Sequence, residues 1–174
     1  MAALQRFFDH TPQNSGAAFI VVMHLSTEHK SQLAEILQSH TAMPVVQVAQ
    51  DQKLEPDHVY VIPPGRNLSA IDTHLRLSPL EANRRARAPI DHFFRTLAEI
   101  HGERAVAVVL SGTGSDGAVG LSMVKERGGL AVAQDPAEAE YDSMPQGAIM
   151  TGLVDTVLSL HETPAKIVAY MSRI

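Results

Sequence analysis

Two side chains in this sequence have the types and positions to work together as an acid and a base. His24 follows the apolar run 17–23, and Asp116 follows a second apolar run, 105–110, inside a glycine-rich loop. Such runs suit strands that are buried on both faces of a parallel sheet, whose carboxyl ends meet at one edge. A carboxylate that orients a histidine, which then takes a proton from a hydroxyl, is the arrangement used in nucleophilic acyl transfer. His24 and Asp116 are therefore our candidate acid–base pair.

The glycine loop also supports a second interpretation. Its residues Gly112-x-Gly114-x-x-Gly117 match the dinucleotide-binding fingerprint, and Asp135 lies about where the ribose-binding acid is expected. Against this, the loop lies past the middle of the chain rather than at the first strand–helix turn. A carboxylate at Asp116 would also repel a pyrophosphate held at the helix N-terminus. Nucleotide binding stays open as an alternative.

Strands and helices alternate along the chain that must position these residues. Helical spacing and caps predict helices over 1–10, 30–40 with Ser26 or Thr27 as cap, 89–101, 118–127 and 163–170. Apolar and β-rich runs predict strands over 17–23, 44–48, 58–62, 105–110 and 130–133. Runs 68–71 and 74–77 flank a turn and predict a hairpin, whereas 51–57 and 141–148 have turn-like composition. The pattern predicts an α/β fold: three layers, doubly wound, with a mainly parallel sheet and a small antiparallel hairpin annex.

Composition excludes several classes of function. The 174 residues suffice for one domain, and the net charge of −5 provides no electrostatic footprint for nucleic acid. The cluster Arg84-Arg85-Ala-Arg87 is expected to be a solvated loop. No cysteine is present, which excludes disulfides and thiol catalysis. Because neither a membrane-length apolar run nor a signal-peptide pattern occurs, we expect a cytoplasmic protein without membrane insertion. We also expect neither a metal nor a cofactor.

Five motifs together resemble the catalytic domain of the chemotaxis protein-glutamate methylesterase, CheB. They occur in family order and span nearly the whole chain: Phe19-Ile-Val-Val-Met-His24-Leu-Ser, Val59-Tyr-Val-Ile-Pro-Pro-Gly65, Leu110-Ser-Gly-Thr-Gly-Ser-Asp-Gly117, Ala133-Gln-Asp-Pro136 and Met144-Pro-x-x-Ala148-Ile. The sequences of these motifs most resemble the branch of the family in which this domain is fused to a CheR-type methyltransferase. That branch often lacks the receiver domain, and we expect none here.

The resemblance implies a Ser-His-Asp hydrolase. Such an enzyme removes methyl esters from glutamates on the methylated cytoplasmic helices of chemoreceptors, and deamidates particular glutamines. His24 matches the catalytic histidine and Asp116 the aspartate. Thr113 and Gly114 match loop positions beside the substrate cleft, where backbone N–H groups stabilise an oxyanion. Met144 matches a cleft wall, although Ser143 stands where the family usually has glycine.

The resemblance also implies that the nucleophile is missing from residues 1–174. In the family, the serine lies in a Gly-Ala-Ser-x-Gly-Gly turn after the first strand, just before the helix equivalent to residues 2–8. We therefore expect a single catalytic domain over 1–174 that lacks this strand and turn, has little or no activity, and exposes an unpaired edge beside 19–23. Three other serines are poor substitutes for the missing nucleophile. Ser26 is expected to be a helix cap, and Ser111 and Ser115 flank Asp116.

Two further hypotheses stay open beside the methylesterase. The chain could be a non-catalytic docking or regulatory module that binds receptor or partner domains, a CheR-type methyltransferase among them. Nucleotide binding by the glycine loop is the third hypothesis.

Overall fold

A computed structural model describes all residues, 1–174, as alternating helices and strands. The six helices are α1 Ala2–Asp9, α2 Leu33–Gln38, α3 Pro89–His101, α4 Ala118–Glu126, α5 Ser143–Met150 and α6 Thr163–Met171. The nine strands are β1 Phe19–Val21, β2 Val45–Gln47, β3 Asp51–Lys53, β4 Val59–Val61, β5 Arg66–Ile71, β6 His74–Pro79, β7 Val106–Val109, β8 Leu130–Gln134 and β9 Thr156–Leu158. Single 3₁₀ turns cover Arg84–Ala86 and Gly102–Arg104. The predicted α/β class is confirmed.

Six of the nine strands form two parallel sheets of three strands each. One has the order β1–β4–β2, with Ile20 opposite Tyr60, and the other has the order β7–β8–β9, with Val108 opposite Val132. All five residues of the central strand β8 are buried. This explains why its sequence is a continuous apolar run rather than an alternating one.

The antiparallel annex is larger than the predicted hairpin. Strands β5 and β6 pair around the turn at Asp72, which has φ +51, and β3 adds a third strand on the other side of β6. The prediction of a turn over 51–57 was therefore wrong for β3. Main-chain pairing with β6 and the ion pair between Arg76 and Asp51 hold this edge strand. Because Asp51 and Lys53 are exposed, the strand lacks the apolar alternation that would reveal it in the sequence.

Two helix starts also differ from the prediction. Helix α2 begins at Leu33, whose N–H donates to Ser31 Oγ at 3.2 Å, and neither Ser26 nor Thr27 caps it. The Met-Pro segment predicted as a turn is the first turn of α5. Pro145 is tolerated there because the first N–H groups of a helix have no intrahelical partner.

The parallel sheets have apolar clusters on both faces. One cluster packs α3 and α4 against one face, with Phe93, Phe94 and Leu121 buried. The other packs α1, α2 and α6 against the opposite face, with Phe7 and Leu37 buried. Helices on both faces complete the predicted three layers.

Strands β1 and β7 each have only one neighbour. Strand β1 pairs with β4 alone, and β7 pairs with β8 alone, so each leaves one edge open. Between them lies a cavity of about 1330 Å³, which we call the interstrand cleft. Residues 17–24 line one side and residues 106 and 108–116 line the other, with α1 and α3 above and below.

Candidate active site

The structure brings His24 and Asp116 together at the rim of the interstrand cleft. His24 lies three residues after β1, and Asp116 lies in the loop between β7 and α4. His24 Nε2 donates to Asp116 Oδ2 at 2.9 Å. The histidine side chain is 54% exposed, whereas the Asp116 side chain is only 9% exposed. A half-open imidazole on a buried carboxylate is suited to pass protons to a group in the cleft.

The hydrogen bond to Asp116 decides which ring nitrogen of His24 can act as a base. Because an ionised carboxylate only accepts hydrogen bonds, Nε2 must carry the proton. The lone pair of the neutral ring then lies on Nδ1, which has no hydrogen-bond partner within the protein. A hydroxyl placed in the cleft would therefore meet the base at Nδ1.

Asp116 is held by the first turn of α3. Its Oδ1 accepts the Asp91 N–H at 2.8 Å, and its Oδ2 accepts the Ile90 N–H at 3.0 Å. Pro89 occupies the first position of this helix, where a missing N–H costs nothing. The positive end of the helix dipole interacts favourably with a negatively charged side chain at this position.

Asp91 is a residue of this site that sequence reasoning missed. Its Oδ1 accepts the N–H groups of Gly117 and Gly120, at 3.0 and 2.7 Å, at the start of α4. Burial raises the pKa of the Asp91 carboxyl above its usual range, and the neighbouring Asp116 charge acts in the same direction. The two glycine N–H groups partly offset both effects. An acid in the first turn of α3 was visible in the sequence, but its partners 26 and 29 residues away were not.

Thr113, Gly114 and Met144 lie on the wall of the same cleft. Thr113 and Gly114 are exposed, and Gly114 has φ +88, a left-handed conformation that favours glycine. Met144 N–H donates to Gly112 O at 3.1 Å, and the methionine sulfur occupies the space that a Cβ on residue 112 would need. The glycine loop and the start of α5 are thus packed into one wall.

None of the candidate serines makes a hydrogen bond to His24. Ser26 Oγ accepts the Glu28 N–H at 3.3 Å, and Ser111 Oγ accepts the Tyr141 N–H at 3.0 Å. The only side-chain hydrogen bond of His24 is the one to Asp116. No serine among residues 1–174 is therefore hydrogen-bonded to the His24 ring.

The geometry argues against the nucleotide alternative. The N–H groups of Gly117 and Gly120 at the start of α4, which a pyrophosphate would need, are bound to Asp91. Asp135 uses its carboxylate to accept the Ala137 N–H within its own turn. The fingerprint spacing is present, but the donors it should provide are occupied.

Three further features of the molecule bear on its class. No group of three or more His, Asp or Glu side chains is arranged to hold a metal ion. None of the six helices combines the length and apolar character that crossing a bilayer requires. The basic cluster lies in and beside the 3₁₀ turn Arg84–Ala86, where Arg84 and Arg85 are exposed as predicted.

Comparison with known proteins places this geometry in a family. The family model described as CheB methylesterase matches residues 1–167. A putative protein-glutamate methylesterase/protein-glutamine glutaminase of Leptospira interrogans is 33% identical over 92% of this chain and 83% of its own. The corresponding Moorella thermoacetica protein is 32% identical over 98% of this chain, which spans only 42% of that relative.

An uncharacterised 104.1 kDa protein of Rhodobacter capsulatus is 45% identical over 81% of this chain, and the match covers only 15% of that larger protein. Among solved structures, the CheB methylesterase catalytic domain of Thermotoga maritima superposes with a TM-score of 0.87 at 27% identity. That match covers 97% of this chain and 91% of the Thermotoga chain. The relatives bearing activity names are carboxylic ester hydrolases, and this chain belongs to the CheB methylesterase family.

Proposed function

We propose that this chain is the catalytic module of a chemotaxis-type protein-glutamate methylesterase that acts in the cytoplasm. Its substrates are the glutamate methyl esters on cytoplasmic helices of chemoreceptors, and it deamidates glutamines by the same acyl-transfer chemistry. The observation that carries the proposal is the 2.9 Å bond from His24 Nε2 to Asp116 at the rim of the interstrand cleft, within the CheB fold.

His24 Nδ1 is the proton carrier in this reaction. A serine hydroxyl attacks the ester carbonyl and gives its proton to Nδ1, and the resulting imidazolium is stabilised by Asp116. The tetrahedral intermediate expels methoxide, which takes that proton and leaves as methanol. Water, deprotonated by the same nitrogen, then attacks the acyl-serine carbonyl. The serine oxygen leaves and takes that proton back, and the released glutamic acid ionises to the carboxylate. Thr113 and Gly114 line the cleft where the oxyanion would form, and their backbone N–H groups are its proposed donors.

We infer that the serine is delivered by one β-strand that fills the interstrand cleft. The open edges of β1 and β7 face each other across the cleft and belong to parallel sheets. A strand between them would satisfy both rows of main-chain groups and join the two sheets into one. Residues His24 and Asp116, which follow β1 and β7, meet at one end of the cleft, so the two strands run the same way. The added strand would run parallel to them and end beside His24.

The packing around the cleft specifies the character of this strand. Phe19 and Val106 pack towards the cluster of α1, α2 and α6, whereas Ile20 and Ala107 pack towards the cluster of α3 and α4. Apolar side chains therefore border the cleft on both faces of the sheet. The occupant must be apolar on both faces as well, as expected of a central parallel strand.

The position of α1 supports a strand that leads directly into α1 as the occupant. The C-terminal end of α1 meets the beginning of β1, since the Phe8 and Phe19 rings are 5.9 Å apart. Helix α1 therefore runs back along β1, and Met1 lines the cleft together with His24. A strand that ended near His24 could continue directly into α1, and α1 would then be the crossover helix between two parallel strands.

This proposal predicts that residues 1–174 alone have little activity. Methanol release would be measured from a methylated chemoreceptor fragment, using residues 1–174 and a longer chain that begins with a strand and a Gly-Ala-Ser-x-Gly-Gly turn. The matched control replaces the added serine by alanine. We expect the longer chain to be faster by up to about 10⁶, the cost of removing a triad serine in other hydrolases. Rapid, His24-dependent hydrolysis by residues 1–174 would refute it.

The size of the relatives supports a module that works within a larger protein. The chain spans only 15% of the Rhodobacter protein and 42% of the Moorella protein. We propose a CheR-type methyltransferase domain as its companion, because removal and addition of the same methyl ester are opposing reactions on one substrate. Co-purification with such a domain, abolished when the longer polypeptide is cleaved between them, tests the pairing.

A further inference from the structure

We propose that Asp91 is a positioning residue, which holds the Asp116 carboxylate against His24 by a reciprocal exchange of helix caps between α3 and α4. The proposal rests on the proposed function only in treating His24 and Asp116 as the acid–base pair. The contacts that carry it are independent of any reaction.

Helix α3 takes its cap from the glycine loop. Its N-cap residue is Ala88, which has no side-chain oxygen to bind the free N–H groups of the first turn. The Asp116 carboxylate performs this task instead, with one oxygen on the Asp91 N–H and the other on the Ile90 N–H. The same second oxygen accepts the His24 bond.

Helix α4 takes its cap from α3 in return. Its N-cap residue, Gly117, has no side chain, and its φ of +102 is a conformation that favours glycine. Asp91 Oδ1 accepts the N–H groups of both Gly117 and Gly120. Gly117 directly follows Asp116. The hydrogen bond from the Gly117 N–H to Asp91 therefore fixes the peptide group that joins Asp116 to Gly117.

The crossing of the two helices leaves little room for Asp91 to move. A Cβ on Gly120 would lie 2.9 Å from Asp91 Cα and 2.7 Å from Phe94 Cβ. On the other side of Asp116, the 54% exposed His24 ring offers no comparable constraint. The direction of the Asp116 carboxylate is therefore set from the α3 side, through Asp91 and its cap.

The hydrogen-bonded Nε2–H proton of His24 is a direct readout of this role. It would be observed by NMR as a downfield proton resonance of the folded 1–174 chain, assigned by its disappearance in His24→Gln. We expect the resonance in the wild type and in Asp91→Asn, whose amide oxygen still accepts the two glycine N–H groups. We expect its loss in Asp91→Ala, which removes the acceptor.

A matched control separates positioning from general stability. Asp57 also holds a loop, accepting the Gly16 N–H at 2.8 Å, but it does so near the amino end of β1. Asp57→Ala should lower stability without removing the His24 resonance. If Asp91→Ala does not fold, Asp91→Glu replaces it, since an added methylene displaces the acceptor while the charge is kept, and it should also lose the resonance.

The proposal is overturned if the resonance persists in folded Asp91→Ala or Asp91→Glu, or if Asp91→Asn or Asp57→Ala loses it as completely as those variants. None of these measurements involves ester hydrolysis. Failure of every methylesterase assay would therefore not contradict the positioning role of Asp91. Failure of the NMR test would likewise not contradict the proposed methylesterase function.

Discussion

At the scale of the residue, the site depends on which atoms are already engaged. His24 Nε2 is bound to Asp116, so Nδ1 is the nitrogen available for proton transfer. Asp116 has both of its oxygens engaged by backbone N–H groups as well as by His24. The pair could be proposed from the sequence because each residue follows an apolar run. Which nitrogen of His24 faces Asp116 depends on side-chain orientation, so it could not be predicted from the sequence.

Replacing Asp116 by asparagine should damage catalysis far more than folding. The amide presents an N–H group to His24 Nε2 or to the helix N–H groups, so it cannot stabilise the correct tautomer and the imidazolium together. By analogy with the same change in serine proteases, we expect kcat to fall by about 10⁴. The measurement is methanol release by the longer, strand-containing chain. A loss of less than tenfold would contradict the role given to Asp116.

Asp91 should make the stability of the fold depend on pH. Its pKa is raised by burial, so the native state binds a proton more tightly than the unfolded state, whose Asp pKa is near 3.8. Its contribution is thus most favourable below that value and is lost as pH rises through the higher, folded pKa. Asp91→Asn avoids this loss. In urea unfolding, we expect the free energy of unfolding of the variant to rise relative to that of the wild type from pH 4 to 7. A difference between the two that is constant with pH would contradict this role of Asp91.

At the scale of the element, hydrophobic periodicity predicted helices and strands that bury apolar side chains. It did not predict elements whose side chains are mostly exposed. Helix α3 has the predicted bounds, because Ile90, Phe93 and Phe94 form a buried stripe. Strand β3 was missed because it is an exposed edge without apolar alternation. The reciprocal caps of α3 and α4 were missed because capping patterns are read within a few residues, whereas these partners are 25 to 29 residues apart.

The crossing of α3 and α4 should not tolerate a larger residue at Gly120. Gly120→Ala would place a methyl group within 3 Å of Asp91 and Phe94, and overpacking of this kind costs about 1–3 kcal/mol. Gly147→Ala is the matched control, because residue 147 lies in α5 with nothing within 4 Å of an added Cβ. The control should gain about 0.5–1 kcal/mol. Equal free energies of unfolding for the two variants would contradict the close packing.

At the scale of the whole molecule, the open edges of β1 and β7 are the main liability. Residues 1–174 leave two rows of unpaired main-chain groups around an apolar cleft of about 1330 Å³. Exposed strand edges of this kind promote pairing with other chains. The sequence could predict the open edge beside 19–23 only through the family resemblance. The second edge, on β7, required the strand order.

Residues 1–174 should therefore self-associate or unfold at lower temperature than the strand-containing chain. Filling the cleft buries apolar surface and pairs both edges, so the longer chain should be monomeric with a higher Tm. Sedimentation velocity and thermal unfolding, run on both chains at matched concentrations, measure these effects. A cooperative, highly stable monomer of residues 1–174 would count against the proposed strand between β1 and β7.

The most direct test is to ask which atom a serine-reactive fluorophosphonate modifies. Mass spectrometry of the strand-containing chain should place the label on the serine of the added Gly-Ala-Ser-x-Gly-Gly turn, with strong loss of labelling in His24→Ala. Residues 1–174 alone should remain unlabelled. Label on Ser26, Ser111 or Ser115, or none on the added serine, would contradict a triad in which His24 and Asp116 serve a nucleophile on the strand between β1 and β7.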